Sequence, residues 1–520
     1  MKSLLTVVLI SWICASNAQI TFNKRMSFGQ LAAVITAVEA TDSCYYATGI
    51  IADDITNTAN IFIKYDLNGD TIFTKVITNT HIKTYETWNP NLHTTYDDNL
   101  IVGGYSIYDT GGMSAILIKY DSYGDSLWMK EYKNPLYPNG YIRLDDVIST
   151  RDSGYIFAAL TNASLSDGFV VFRLDSLGNE LWHYQYSRVF DSYDFDIWQD
   201  DDGGFIIGFV QTDLAWITKN YTVECHLIKL DSLGNKLWEW SSPNSLQVFG
   251  ANDVIKTRDG NWLIASSLGR EDYVNPNTNY YYDTAAYVFK LDTARNLLWG
   301  TPLRGSYGID DNLKIQRLIE LPDSSIWAIG HGAHSYSAQP PYKSIRDGWV
   351  VRLSPNGDSL YNRRYHFLSV HLAQHMVYDA ELTYDNGLLI SGESKINGLG
   401  AYQQGWLLKL DEHGCLVPGC HLLSDVEEVE DEEKLAVQVA LYPNPASDFI
   451  NVYLHRPKNL EHDVSIRLVD LQGRVLQEYG QLHGGDITYV LPVSDLPVGA
   501  YVVQVLEAGE VVFVEKVLVN

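Results

Sequence analysis

One phrase recurs seven times along the chain and restricts the fold more than any other feature. An apolar strand leads through a basic and an apolar residue to Asp-x-x-Gly-Asp/Asn, then to an apolar residue and an aromatic. It reads IFIKYDLNGDTIF at Ile61 to Phe73, ILIKYDSYGDSLW at Ile116 to Trp128, VVFRLDSLGNELW at Val170 to Trp182 and HLIKLDSLGNKLW at His226 to Trp238. Weaker copies end at Trp299 and Tyr361, and the last, WLLKLDEHGCLVP, starts at Trp406. Anchored at Asp66, Asp121, Asp175, Asp231, Asp292, Ser354 and Asp411, the spacings are 55, 54, 56, 61, 62 and 57 residues. A fixed period of this size indicates equivalent supersecondary units that bury their apolar faces on one another.

Each copy follows a second apolar strand, such as CYYATGI at Cys44, GYIFAAL at Gly154 or GLLISGE at Gly387, and a further strand, such as DDVIST at Asp145, NDVIKT at Asn252 or YDAELT at Tyr378, lies between units. That makes four short strands per unit. Asp66-x-x-Gly69, Asp121-x-x-Gly124, Asp175-x-x-Gly178 and Asp231-x-x-Gly234 are read as structural hairpin turns: the carboxylate bonds the turn backbone and the glycine takes positive φ. Lys64 and Asp66, Lys119 and Asp121, and Lys229 and Asp231 stand two apart on one strand face and are expected to pair. Consecutive apolar residues before the base, such as Phe62-Ile63, require cover on both sheet faces. The expected fold of residues 19–423 is an all-β, seven-bladed β-propeller. Its seventh copy has Pro418 where an aromatic is due, and Ile20 to Phe28, outside every repeat, is positioned to complete it.

The Leu230-Asp231, Gly234 and Leu237-Trp238 phrase resembles the repeats of pyrroloquinoline-quinone-dehydrogenase-like propellers. The resemblance concerns blade structure; residues for the quinone and its calcium are not found. Sialidase Asp-boxes want Asp-x-Gly and do not match.

The N-terminal Lys2, the apolar run Leu4 to Ile13 and small Ser16 and Ala18 read as a cleaved secretory signal over residues 1–18. No other run reaches the roughly 18 apolar residues of a transmembrane helix. In an oxidising compartment Cys415 and Cys420, flanking Pro418-Gly419, are expected to form a disulfide, while Cys44 and Cys225 stand alone. Lys+Arg 37 against Asp+Glu 64 gives a net charge of −27, which argues against nucleic acid as a partner.

SDVEEVEDEEK, seven acids in eleven residues within 424–434, reads as an extended, self-repelling linker. Residues 435–520 then alternate with period two and carry turn chemistry at Asn444-Pro445, Gln472-Gly473 and Pro497-Val498-Gly499, which predicts a small immunoglobulin-like β-sandwich. Three ordered motifs there, Tyr442, Pro443, Asn444 and Pro445, then Asp470, Gly473 and Arg474, then Leu496, Gly499 and Tyr501, closely resemble the type A C-terminal sorting domain of the Bacteroidetes type IX secretion system. The resemblance implies passage through the periplasm, outer-membrane translocation by that machinery, and release or surface attachment.

Chemistry is less legible. His371 and His375 have helical ligand spacing but lie in strand-rich text without the metalloprotease Glu. His331, His334 and His366 add nearby imidazoles that read as loop or surface residues. The acids of Asp66 to Asp70 and of Gln199 to Gly204 lack the EF-hand Glu, position twelve after Asp66 being Ile77. No cofactor is predicted, and calcium is the one ion left open. No nucleophile elbow or phosphate loop occurs. Tyrosine is abundant, 35 residues, clustered at Asn279-Tyr280-Tyr281-Tyr282 between Gly269 and Ala285. The leading expectation is a monomeric exported propeller that binds glycan or protein; the alternative is an extracellular polysaccharide lyase or hydrolase at the channel mouth.

Overall fold

The computed structural model describes residues 19–30, 32–53, 58–77, 84–86, 91–107, 112–137, 140–162, 168–187, 195–212, 223–243, 248–274, 281–303, 312–335, 344–367, 373–396, 403–417, 420, 438–442, 446, 449–455, 464–470, 473–482, 487–494, 496–507 and 510–519. The expected signal, the acidic linker and Pro443 to Pro445 lie outside them. Every named element among these residues is a β-strand.

The repeats fold into seven consecutive antiparallel units. The third is typical: Tyr141–Ser149, Tyr155–Asn162, Gly168–Leu174 and Glu180–Ser187 pair in order. Gly168–Leu174 is buried at every position, so both faces are covered, and Phe157 and Phe172 stack with centroids 4.9 Å apart. Among the described residues the seventh unit contributes three strands of its own, Ala373–Leu382, Leu388–Ile396 and Gln404–Leu410; Phe22–Met26 pairs antiparallel with Gln404–Leu410 and supplies the fourth, as the unassigned N-terminal segment suggested. The first unit, beginning at Ala32–Ala40, packs on the seventh through Ala373–Leu382 and Leu388–Ile396.

The recurring phrase ties each unit to the next. Its Asp accepts the N–H groups two and four residues on, as Asp121 does from Tyr123 and Asp125 at 2.9 and 2.8 Å, and its glycine takes positive φ. The aromatic of the preceding unit lies on that glycine: Phe73 on Gly124, Trp128 on Gly178, Trp182 on Gly234, Trp299 on Gly357 and Tyr361 on Gly414. A Cβ on Gly234 would fall 2.7 Å from Trp182, so glycine is required twice, by φ and by contact. The fifth unit has Arg295 there at φ 71°, and its guanidinium covers Trp238 at 4.7 Å from the ring centroid. The last contact of the series returns to the first unit: Phe22 lies on Gly69, and Lys24 reaches Asp70 at 2.5 Å just as Lys75 reaches Asp125. Phe22 thereby takes the part that Pro418 cannot.

The expected Lys–Asp pairs within the phrase do not form, because the turn backbone occupies the Asp. Lys119, Arg173, Lys229, Lys290, Arg352 and Lys409 instead hold Asp97, Asp152, Asp202, Asp259, Asp323 and Asp385, at 2.5 to 3.0 Å, on the turn between the first and second strands. Lys64 has Ser43 in the matching place and donates to Ser122 O of the next unit at 3.1 Å. The Cys415–Cys420 disulfide is present; Cys44 and Cys225 are free and buried.

The C-terminal strands form two sheets, Gln438–Tyr442, Phe449–His455 and Ile487–Pro492 against Val475–Leu482, Val464–Asp470, Gly499–Glu507 and Glu510–Val519, around one core that includes Ile450, Val452, Leu468, Val503 and Val517.

Phe22→Ala is expected to lower unfolding stability by about 3 kcal/mol, as for other buried rings. Gly234→Ala, which leaves every hydrogen bond intact, is expected to cost about 1 to 2 kcal/mol through positive φ alone and more through Trp182. Urea denaturation checks both; wild-type midpoints would refute the contact series.

Candidate functional site

Among the described residues the first strands of the units bring a set of buried ionisable groups together. A β-bulge displaces one residue in the first strands of the first, third, sixth and seventh units, for example Asp145 between Leu144 and Asp146 and Tyr378 between Val377 and Asp379, and a wider irregularity lies between Phe249 and Asp253 in the fifth. Pairing with the second strand then puts Ala37, Asp146, Asp196, Asp253, Arg317 and Asp379 at one equivalent level, with Asn91, whose O accepts Gly103 N, in the second unit.

At this level side chains pin unit to unit. Asp146 Oδ2 accepts Ile197 N at 2.7 Å, Asp196 Oδ2 accepts Val254 N at 2.7 Å, Asp253 Oδ2 accepts Leu318 N, and Asp379 Oδ2 accepts Val38 N at 3.0 Å across 341 residues of sequence. The sixth unit answers with a cation. Arg317 Nε donates to Asp379 Oδ1 at 2.7 Å and its Nη1 lies 3.7 Å from Asp253 Oδ1. Two residues further along their strands, Glu39 and Glu381 join the same field, with Thr94 Oγ1 donating to Glu39 Oε1 at 2.5 Å and His93 Nδ1 3.9 Å from Glu39 Oε2.

Four buried aspartates, with partly buried Glu39 and Glu381 beside them, crowd like charges around one guanidinium and disfavour full ionisation. Burial pushes Asp146, Asp196 and Glu39 up to about 7 and Asp253 to about 8, and raises Asp379 and Glu381 despite Arg317. Burial, aided by Arg317, holds His93 down at about 3, so it is neutral. The layer therefore holds protons in place of counterions. Among the described residues no group of three or more His, Cys, Asp or Glu is arranged to hold a metal ion.

The side chains singled out from sequence are placed elsewhere. Asp66, Asp175 and Asp231 sit in exposed turns, kept ionised and low by their own backbone and Asn hydrogen bonds. The acids of Gln199 to Gly204 are neutralised by lysine: although burial opposes it, Lys229 and Lys256 hold Asp200 at about 2. His375 is a buried strut, not a ligand: its Nε2 accepts Phe367 N at 3.0 Å and its Nδ1 meets Arg346 O at 3.1 Å; His371 lies outside the described residues. His331 is likewise buried, with Nδ1 3.1 Å from Val377 O. Tyr281 and Tyr282 begin a strand, Tyr281–Leu291, and Asn279 and Tyr280 lie outside the described residues. In the tail Asp470, Gly473 and Arg474 repeat the hairpin turn, with Arg474 Nε on Asp470 Oδ2 at 2.6 Å, Tyr501 Oη donates to Pro497 O at 2.7 Å, and Leu496 packs on the core beside Gly499–Glu507.

The acids of the first strands were missed, although Asp recurs in DDVIST, NDVIKT and YDAELT. Their partners are backbone N–H groups of the next unit, which no local spacing reveals.

The raised carboxyls fix the sign of a pH dependence. Their folded values exceed the unfolded ones near 4, so their stabilisation is complete below about pH 4 and is lost as pH rises through about 7 to 8, at about 1.4 kcal/mol per pH unit for each proton released. The rim carboxylates held low act oppositely, losing stability only as pH falls toward about 2. Thermal melts are expected to be higher at pH 5.5 than at pH 8.5, and Arg317→Met is expected to cost about 3 to 5 kcal/mol at pH 8.5 and distinctly less at pH 5.5. A flat profile in both proteins would contradict a proton-sharing layer.

The family model for the secretion system C-terminal sorting domain matches residues 440–520. No curated protein matches the chain. Among solved structures the chain is similar to the extracellular domain of a hybrid two-component system from B. thetaiotaomicron, at 11% identity and a TM-score of 0.41, covering 94% of this chain and 56% of that one. It is also similar to a polysaccharide lyase, at 12% identity and 0.46, covering 73% and 90%, and to an α-L-arabinanase from Penicillium chrysogenum complexed with arabinobiose, at 10% and 0.41, covering 62% and 93%. The sorting domain makes this a secreted or cell-surface protein exported by type IX secretion.

Proposed function

We propose that residues 19–423 form a seven-bladed β-propeller that acts outside the cell as a binding module for glycan or protein, delivered by an immunoglobulin-like sorting domain over 435–520 after loss of a signal over 1–18. One observation carries the reading: the two sides of the sheets differ. On one side the second to seventh units turn back between strands one and two through one five-residue turn, as Thr150 to Gly154 does, the first through the shorter Thr41 to Cys44, and the turn after the third strand, as Asp175 to Asn179, recurs in all seven. On the other side the connections between strands two and three vary from five residues, as between Ile107 and Met113, to ten, as between Thr212 and Val223. Variable loops on a rigid scaffold are where recognition evolves.

The second reading, a polysaccharide lyase or hydrolase, is favoured by one pair on the variable side: the Tyr378 phenol donates at 3.0 Å to Glu393, a carboxylate 1% exposed. No cofactor or calcium ion is needed for the binding reading.

A glycan array and a polysaccharide depolymerisation screen with the secreted protein, with and without calcium, separate the two. Retention without turnover is expected; release of reducing ends or unsaturated sugars would replace the binding reading with the enzyme. Deleting Leu435 to Asn520 is expected to strand a folded propeller in the periplasm, and its appearance in the medium would refute the sorting role.

A further inference from the structure

On the variable side, Arg346 of Ser344–Leu353 bridges in parallel to Gln374 of Ala373–Leu382, the one pairing among the described residues that joins two of the seven sheets. Buried His375 fixes the backbone there, its Nδ1 3.1 Å from Arg346 O and its Nε2 accepting Phe367 N. The partly buried Arg346 guanidinium meets Met376 Sδ at 3.8 Å. Among the described residues it pairs with no carboxylate, whereas Arg143, Arg173, Arg317 and Arg352 each hold an Asp, in a chain with 64 acids to 37 bases.

The neighbouring groups leave that charge uncompensated. Glu393 is already committed to Tyr378 Oη, to Gln403 Nε2 and to Lys395 Nζ at 2.7 Å. Asp347, next on the strand, lies toward His366 and His375 at 3.8 and 3.9 Å. Lys314 and Arg346 both act on His331, which desolvation first and these two charges second keep neutral, and Arg346 also acts on the Tyr378 phenol. Among the described residues neither carboxylate contacts the Arg346 guanidinium, whose one side-chain contact is Met376 Sδ. An anchored, half-desolvated guanidinium with no acid partner is built to take a planar anion through its fork of N–H donors.

We propose that Arg346 anchors the carboxylate of an acidic sugar at the variable-side junction of the sixth and seventh units, with Tyr378 beside it. This rests on the glycan-binding reading above and names the sugar class. The net charge of −27 does not prevent it: exposed charges beyond about 8 Å are screened at physiological salt, and burial raises the pKa of the carboxyls of the inner layer.

The test is affinity electrophoresis of the intact secreted protein in gels containing polygalacturonate, dextran sulfate or neutral laminarin. Retardation by polygalacturonate is expected, with Kd raised about tenfold or more by Arg346→Met and less by Arg346→Lys. Arg346→Met should melt like wild type, since Met keeps the contact with Met376. Wild-type retardation of a folded Arg346→Met protein would overturn the assignment. Retardation by dextran sulfate alone would overturn the carboxylate. Retardation by laminarin alone would overturn the inference while leaving glycan binding intact, and none in any gel would remove the glycan reading itself.

Discussion

An aromatic ring lying on the Cα of a glycine one unit further along is the contact on which the rest of this structure depends. It couples two requirements of a single short phrase. Asp-x-x-Gly reverses the chain only if the glycine takes positive φ, and the missing Cβ that permits this φ leaves the surface on which Trp128, Trp182 or Trp299 rests. Turn and inter-unit contact are therefore selected together, so the phrase can be copied without loss of fit. Where the fifth unit breaks the rule, Arg295 restores the contact through a cation–π interaction with Trp238. The N-terminal strand carries the series from the seventh unit back to the first through Phe22 and Gly69.

At the opposite edge of each sheet the glue changes character. There, aspartates accept the backbone of the following unit, and burial raises their pKa values despite Arg317. Neutral acids suit this place: they bond across the gap without the repulsion that six charges would bring. Between these edges lies the apolar filling, such as Phe157 on Phe172, which supplies the bulk of the burial. A strongly acidic chain stays compact because many of its rim acids are turned to lysine and arginine and because burial raises the pKa of the acids in its inner layer.

The sequence displayed the outer edge well and the inner edge poorly, for a physical reason. Asp231, Gly234 and Trp238 lie within eight residues of one another, so a local pattern records them even though Trp238 acts on the next unit. Asp379 acts on Val38, and Arg317 on Asp379 and Asp253, across distances that no spacing encodes. The Lys229–Asp231 pairing failed because a turn Asp spends both oxygens on its own backbone and on Asn235, leaving lysine to Asp200 and Asp202. His375 matched a ligand spacing but is consumed by backbone partners. Arg346 was not singled out because its meaning is a missing acid, visible only when the neighbours are in place.

Rigid repeats thus leave one side uniform and the other free to vary, and the sorting domain carries that variable surface out of the cell. The account stands on the N-terminal strand serving as the seventh unit's fourth strand. The direct measurement is the thermal melt of a chain starting at residue 29, alone and with a synthetic peptide of residues 19–28 added in excess. The account predicts a lower, broader melt that the peptide restores toward the full-length value, with a Phe22→Ala peptide failing to do so. A truncated chain that melts like the full one, indifferent to the peptide, would contradict it.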